Sequence, residues 1–196
     1  MWLPKRWLSE LVIGSTIIVV FLGSYAISEK HILSIATDLL GFTDQIPFFI
    51  FIPHGVRVVA IYLLRERAIL PLLLAHFLLY DLFPNMPPDW AYIPLALIGT
   101  LGTWISFELL RWAHTSAYYV SDQPKKRVNR IGPPLLAGIL AAVINGLLSF
   151  AVLFTSDVKY GEIELLLGYI FGDILGLLVL LLLFFSLRYW VDNLRE

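Results

Sequence analysis

Apolar residues run through this chain in long blocks, without the alternation of a half-buried strand or the one-faced stripe of a soluble helix. Six blocks stand out: about Glu10 to Ser28, Ile46 to Leu64, Ala68 to Phe83, Trp90 to Ala113, Ile131 to Thr155 and Glu162 to Leu187. A helix crossing the ~30 Å hydrocarbon core needs roughly 20 mostly apolar residues, and the blocks reach or approach that length. The third is the shortest, confined between Arg65/Arg67 and a turn-rich stretch holding Pro84, Pro87 and Pro88. The pattern predicts an all-α polytopic integral membrane bundle of about six transmembrane helices.

The polar stretches between the blocks refine this picture. Residues 29–45 place Ile32, Ile35, Leu39 and Leu40 at helical spacing with charges elsewhere, which predicts one amphipathic helix lying in the interface. Residues 114–130 form a polar connector with Lys125, Lys126, Arg127 and Arg130, expected to be solvated. The Lys5-Arg6 start and the apolar run after it have the outline of a secretory signal. No small-residue cleavage site leads into a polar chain, so a retained helix is expected.

With six alternating spans and the N-terminus inside, Lys5, Arg6, Arg65, Arg67, Arg111, Lys125, Lys126, Arg127, Arg130, Arg188 and Arg195 share one side, leaving Lys30 and Lys159 on the other. By the positive-inside rule both N- and C-termini are expected to be cytoplasmic. Trp2, Trp7, Trp90, Tyr92, Trp112, Tyr118, Tyr119, Tyr160, Tyr189 and Trp190 fall near predicted span ends, where amphipathic rings favour the headgroup layer.

Composition agrees: of 196 residues, 59% are hydrophobic and only 15% charged, with mean hydropathy +0.80. The length suits a single transmembrane domain over residues 1–196. A formal net charge of −1 gives no reason to expect a nucleic-acid partner. The absence of cysteine excludes disulfides, thiolate metal sites and thiol nucleophiles.

Against the apolar background, His54, Arg57, Glu108 and Asp173 stand out, with His76 a lesser candidate. An ionisable group near the bilayer centre costs about 2.5–3.5 kcal/mol on insertion scales, so such residues turn inward and find partners. At 1.5 Å per residue, Arg57 lies about 12 Å from Arg65 and Asp173 about 22 Å from Arg188, so His54 and Asp173 can share one depth. Two readings stand. The four residues line a ligand pocket, or they form an ion pair that only holds helices in register, where polar contacts contribute roughly 0.6 kcal/mol. For His76 we expect a structural hydrogen bond to a backbone carbonyl.

Pro53 and Gly55 interrupt the second block beside His54, either opening carbonyls towards a site or merely kinking the helix. Gly172 and Gly176 flank Asp173 four residues apart, a small-residue face for close helix packing. The signatures of zinc proteases, P-loops, serine-hydrolase elbows and dinucleotide folds are absent, and the histidine and aspartate spacing matches no established metal site. No enzyme activity, metal or cofactor is expected.

Ile52-Pro53-His54-Gly55-Val56, with the following Leu64-Arg65-Glu66-Arg67 and Pro71, resembles the proline-x-glycine helix and loop of the first-described class of bacterial membrane-associated sensor (MASE) domains. Gly168-Tyr169-Ile170-Phe171-Gly172-Asp173-Ile174-Leu175-Gly176 is similar to the Gly-Asp-x-x-Gly segment of that family's closing helix. The resemblance covers about residues 45–187. It departs in lacking the family's later proline and in predicting six spans where members commonly have about eight.

The resemblance implies a sensor-like module in the bacterial cytoplasmic (inner) membrane, here stand-alone, without the output domain that members usually carry. Such a module is expected to act through a membrane-protein partner or larger complex. Two other classes remain open: a small-solute transporter or substrate-binding membrane subunit, and an accessory subunit of an energy-transducing complex.

Overall fold

The computed structural model describes residues 5–32, 50–83, 89–115, 117–119, 131–154 and 162–193. Among them every regular element is helical: α1 (Lys5–Ile27), α2 (Ile52–Leu64), α3 (Ile69–Leu82), α4 (Asp89–Trp112), α5 (Gly132–Phe154) and α6 (Glu162–Asn193). A π-helical turn, Ser28–Ile32, extends α1, and a 3₁₀ turn, Arg65–Ala68, joins α2 to α3. The remainder of the expected interfacial helix and most of the basic connector lie outside the described residues.

Four helices are long and apolar enough to cross a membrane: α1, α4, α5 and α6. The surface agrees, since Val19, Leu147 and Leu182 in the middle of these helices are half or more exposed while Thr100, Thr103, Ser106 and Asp173 are buried. Apolar outside and polar inside is the arrangement of a bundle solvated by lipid.

Helix α2, of 13 residues, falls short of the block expected from Ile46, whereas α3, of 14 residues, lies within one residue of the short third block at each end. At 1.5 Å per residue each covers only about 20 Å. The second block was expected to be helical from Ile46 and interrupted by its proline; instead Pro53 occupies the first turn of α2. There its missing N–H has no helical acceptor to lose and its fixed φ suits the helix start, so the proline begins the helix instead of kinking it.

The other end of α2 is set by Arg65, whose φ of 54° and ψ of −131° leave the helical region. The chain then reverses. Arg57 on α2 and His76 on α3 both approach Gly99 of α4, which is possible only if α2 and α3 run in opposite directions.

The broadest interfaces join α4 to α5, α2 to α6 and α5 to α6, while α1 packs on α2 and α3. Small residues make the closest of these. Along α5, Gly138, Ala142, Asn145, Gly146 and Ser149 are buried, with Leu177 seated over Gly138 and Ile170 over Gly146. At Gly55, an added Cβ would stand 2.7 Å from the Leu180 Cβ and 2.9 Å from the Gly176 carbonyl oxygen. At Gly176 it would overlap the Phe51 carbonyl group. The Phe51 N–H also donates to the Gly172 carbonyl oxygen at 2.9 Å. The two glycines around Asp173 therefore fix where α2 begins against α6.

Basic groups collect at one end. Arg67 makes a two-pronged ion pair with Glu10 of α1, at 2.6 and 3.1 Å, and Arg111 closes α4 at the same end as the α2–α3 turn. Asp81 and Asp89 mark the opposite end.

Candidate functional site

The start of α2 sits beside the middle of α6, and this brings His54, Arg57 and Asp173 into one buried cluster. All three are 2% exposed or less. His54 Nε2 lies 3.0 Å from the Gly138 carbonyl oxygen. A carbonyl only accepts, so Nε2 carries the proton, and Nδ1 then accepts from Arg57 Nη2 at 3.1 Å. Asp173 Oδ2 is 3.3 Å from His54 Nδ1 and 3.7 Å from Arg57 Nη2. In this tautomer the guanidinium donates to the imidazole and pairs with the carboxylate by charge alone.

Asn145 of α5 completes the cluster by donating to Asp173 Oδ2 at 2.6 Å. Ser149, one turn on, reaches the Asn145 amide oxygen at 3.5 Å. The sequence reading overlooked Asn145 because it weighed charges alone. Yet this is the one amide side chain within the six predicted spans, and an amide placed in hydrocarbon needs a partner as a charge does.

Glu108 does not join the group. It lies at the basic end of α4, where its carboxylate accepts from Arg111 Nε at 2.8 Å and from the Tyr118 hydroxyl at 2.6 Å. The Arg65 guanidinium stacks 4.8 Å above the Tyr118 ring, and the Tyr119 N–H donates to the Tyr62 carbonyl oxygen. Burial, reinforced by the bond to Glu108, raises the Tyr118 hydroxyl above the usual tyrosine range. This second cluster ties the end of α2 to the end of α4.

His76 does not make the expected bond through Nε2, which is buried without a hydrogen-bond partner among the described residues. Its ring instead packs on Phe21 of α1, with centroids 4.7 Å apart. His76 Nε2 and the Arg57 guanidinium both lie against Gly99, where an added Cβ would collide with Arg57.

A cavity of about 120 Å³ adjoins the cluster, lined by Arg57, His76, Asn145, Ser149 and Asp173 on its polar side. Tyr25, Phe51, Leu79, Tyr92, Leu95 and Tyr169 supply its apolar walls. Arg57 Nε, His76 Nε2 and the Tyr92 hydroxyl line or border this space, are buried and lack partners among the described residues. Each such group left unsatisfied costs roughly 1–3 kcal/mol, so a polar occupant that bonds to them is favoured. Among the described residues that line it, no nucleophile sits beside an activating base. Among the described residues no three histidine, aspartate or glutamate side chains converge as a metal set.

The chain matches no protein-family profile, no characterised protein and no solved structure.

Proposed function

We propose that this chain is a non-enzymatic, sensor-like membrane module of six membrane-inserted helices, both termini cytoplasmic, whose buried centre binds a ligand and whose basic end meets a membrane-protein partner. The observation that carries the reading is the cavity: polar atoms of α2, α3 and α4, buried at one space without a partner among the described residues, are what a bound molecule would satisfy. The charge distribution supports the orientation, because Arg65, Arg67 and Arg111 share one end of the bundle.

Helix α2 supplies a path between the two ends. It begins at the polar centre with His54 and Arg57 and ends at Arg65, stacked on Tyr118. Tyr118 in turn holds Glu108 and, through it, Arg111. A ligand that draws Arg57 towards the cavity moves a short rod whose far end is read by this second cluster. Gentle detergent extraction of the tagged full chain tests the reading. A stoichiometric membrane-protein partner should stay attached, and Tyr118→Phe should weaken its retention. Recovery of the chain alone, from membranes in which it is abundant, would contradict it.

A second reading, a small-solute transporter or substrate-binding subunit, is favoured by one feature. Helix α2 is about two-thirds of a span long and starts from irregular backbone at Phe51, packed against α6, and broken helices of this kind line transport sites. Solute uptake by vesicles containing only this chain would favour it.

A further inference from the structure

Three properties of the cavity restrict what it can hold. The first is size. At about 120 Å³ it is close to the engineered protein cavity of about 150 Å³ that accommodates benzene, so it has room for one six-membered ring. The second is the wall. Tyr25, Phe51, Tyr92 and Tyr169 contribute aromatic surface, with Leu79, Leu95 and Ala96 between them, which favours a flat, apolar body.

The third is the balance of charge and hydrogen bonding. The Arg57 guanidinium faces the Asp173 carboxylate at 3.7 Å, and the His54 ring, donating to Gly138 and accepting from Arg57, is neutral. The centre is therefore neutral in sum. An anion would leave an uncompensated negative charge inside the bundle, and a cation would meet Arg57. What lacks a partner among the described residues is donor capacity: the Arg57 Nε–H and the Tyr92 O–H, with His76 Nε2 beside them. A neutral ring bearing a carbonyl oxygen satisfies these donors, fits the walls and leaves the charge balance untouched.

We infer that the cavity binds the head of a neutral, membrane-soluble cyclic carbonyl compound of the quinone class. The inference rests on reading this centre as a ligand pocket, and it names the ligand chemistry. The ring lies between the aromatic side chains, and a carbonyl oxygen accepts from Arg57 Nε and the Tyr92 hydroxyl. Binding alone is assigned, with no electron transfer.

The test uses the purified full chain in detergent with three ring-sized probes: para-xyloquinone, its oxygen-free counterpart para-xylene, and benzoate. The chain has no cysteine for the quinone to alkylate. Para-xyloquinone should bind saturably and raise the melting temperature, with at least tenfold higher affinity than para-xylene or benzoate. Tyr92→Phe keeps the ring and removes a hydroxyl that has no partner among the described residues. It should leave the ligand-free melting temperature unchanged or raised, since a buried unpaired hydroxyl is removed, and weaken quinone binding about tenfold.

Preference for benzoate would overturn the ligand class while leaving a ligand pocket in place. Saturable binding of none of the three would overturn the inference and remove support for the pocket, whether or not a membrane partner is recovered in the extraction experiment. Quinone binding undiminished in Tyr92→Phe would also overturn it, since the carbonyl would then lie elsewhere.

Discussion

Single glycines and charges decide how closely the helices of this bundle approach. Gly176 stands where the Phe51 carbonyl group passes, with the Ile52 nitrogen 2.7 Å from the position a Cβ would take. Gly176→Ala is expected to lower stability by at least ~1–3 kcal/mol, because neither backbone group can move without unseating the start of α2. Gly23 has nothing within 4 Å of its added Cβ, so Gly23→Ala should leave the melting temperature unchanged or slightly raised, as alanine suits a helix better by about 1 kcal/mol. Thermal unfolding in detergent, followed by tryptophan fluorescence, separates the two; equal behaviour would mean that α2 does not press on α6 at this point.

The buried charges were visible in the sequence for a simple reason: Arg57 and Asp173 interrupt apolar runs that lipid alone cannot solvate. Glu108 shows where that argument stops. Depth counted along its own helix says nothing about which neighbour it faces, and its partners, Arg111 and Tyr118, lie towards the end of the bundle.

At the scale of elements, apolar run length located the four long helices, with ends close to those expected, except that α1 begins earlier, at Lys5, and α6 continues to Asn193. It misjudged α2. A proline inside an apolar block reads equally as a kink or as a helix start, and only the packing of Phe51 on α6 distinguishes them. Because Pro53 belongs to the first helical turn, Pro53→Ala should change unfolding stability by less than ~1 kcal/mol. A gain approaching ~3 kcal/mol, the usual penalty of a mid-helix proline, would show that the residue interrupts a longer helix.

For the whole molecule, the proposed topology makes a direct prediction. The chain lacks cysteine, so single cysteines report exposure without background. Glu66→Cys, in the turn between α2 and α3, should react with an impermeant maleimide only in inverted vesicles. Asp81→Cys, at the far end of α3, should react only in intact cells. Labelling of both from one side would remove the proposed orientation.

What organises the bundle is a neutral polar centre held away from lipid by α2, α5 and α6. Its charges should depend on each other more than the roughly 0.6 kcal/mol typical of intramembrane polar contacts, because removing one partner strands a buried charge, at about 3–5 kcal/mol. The most direct test is a double-mutant cycle on unfolding stability with Arg57→Gln, Asp173→Asn and the pair. Each single change should destabilise by about 3 kcal/mol or more, and the double by clearly less than the sum, with a coupling on the order of 2 kcal/mol. Strict additivity, with each single change mild, would mean that Arg57 and Asp173 do not face each other inside the protein.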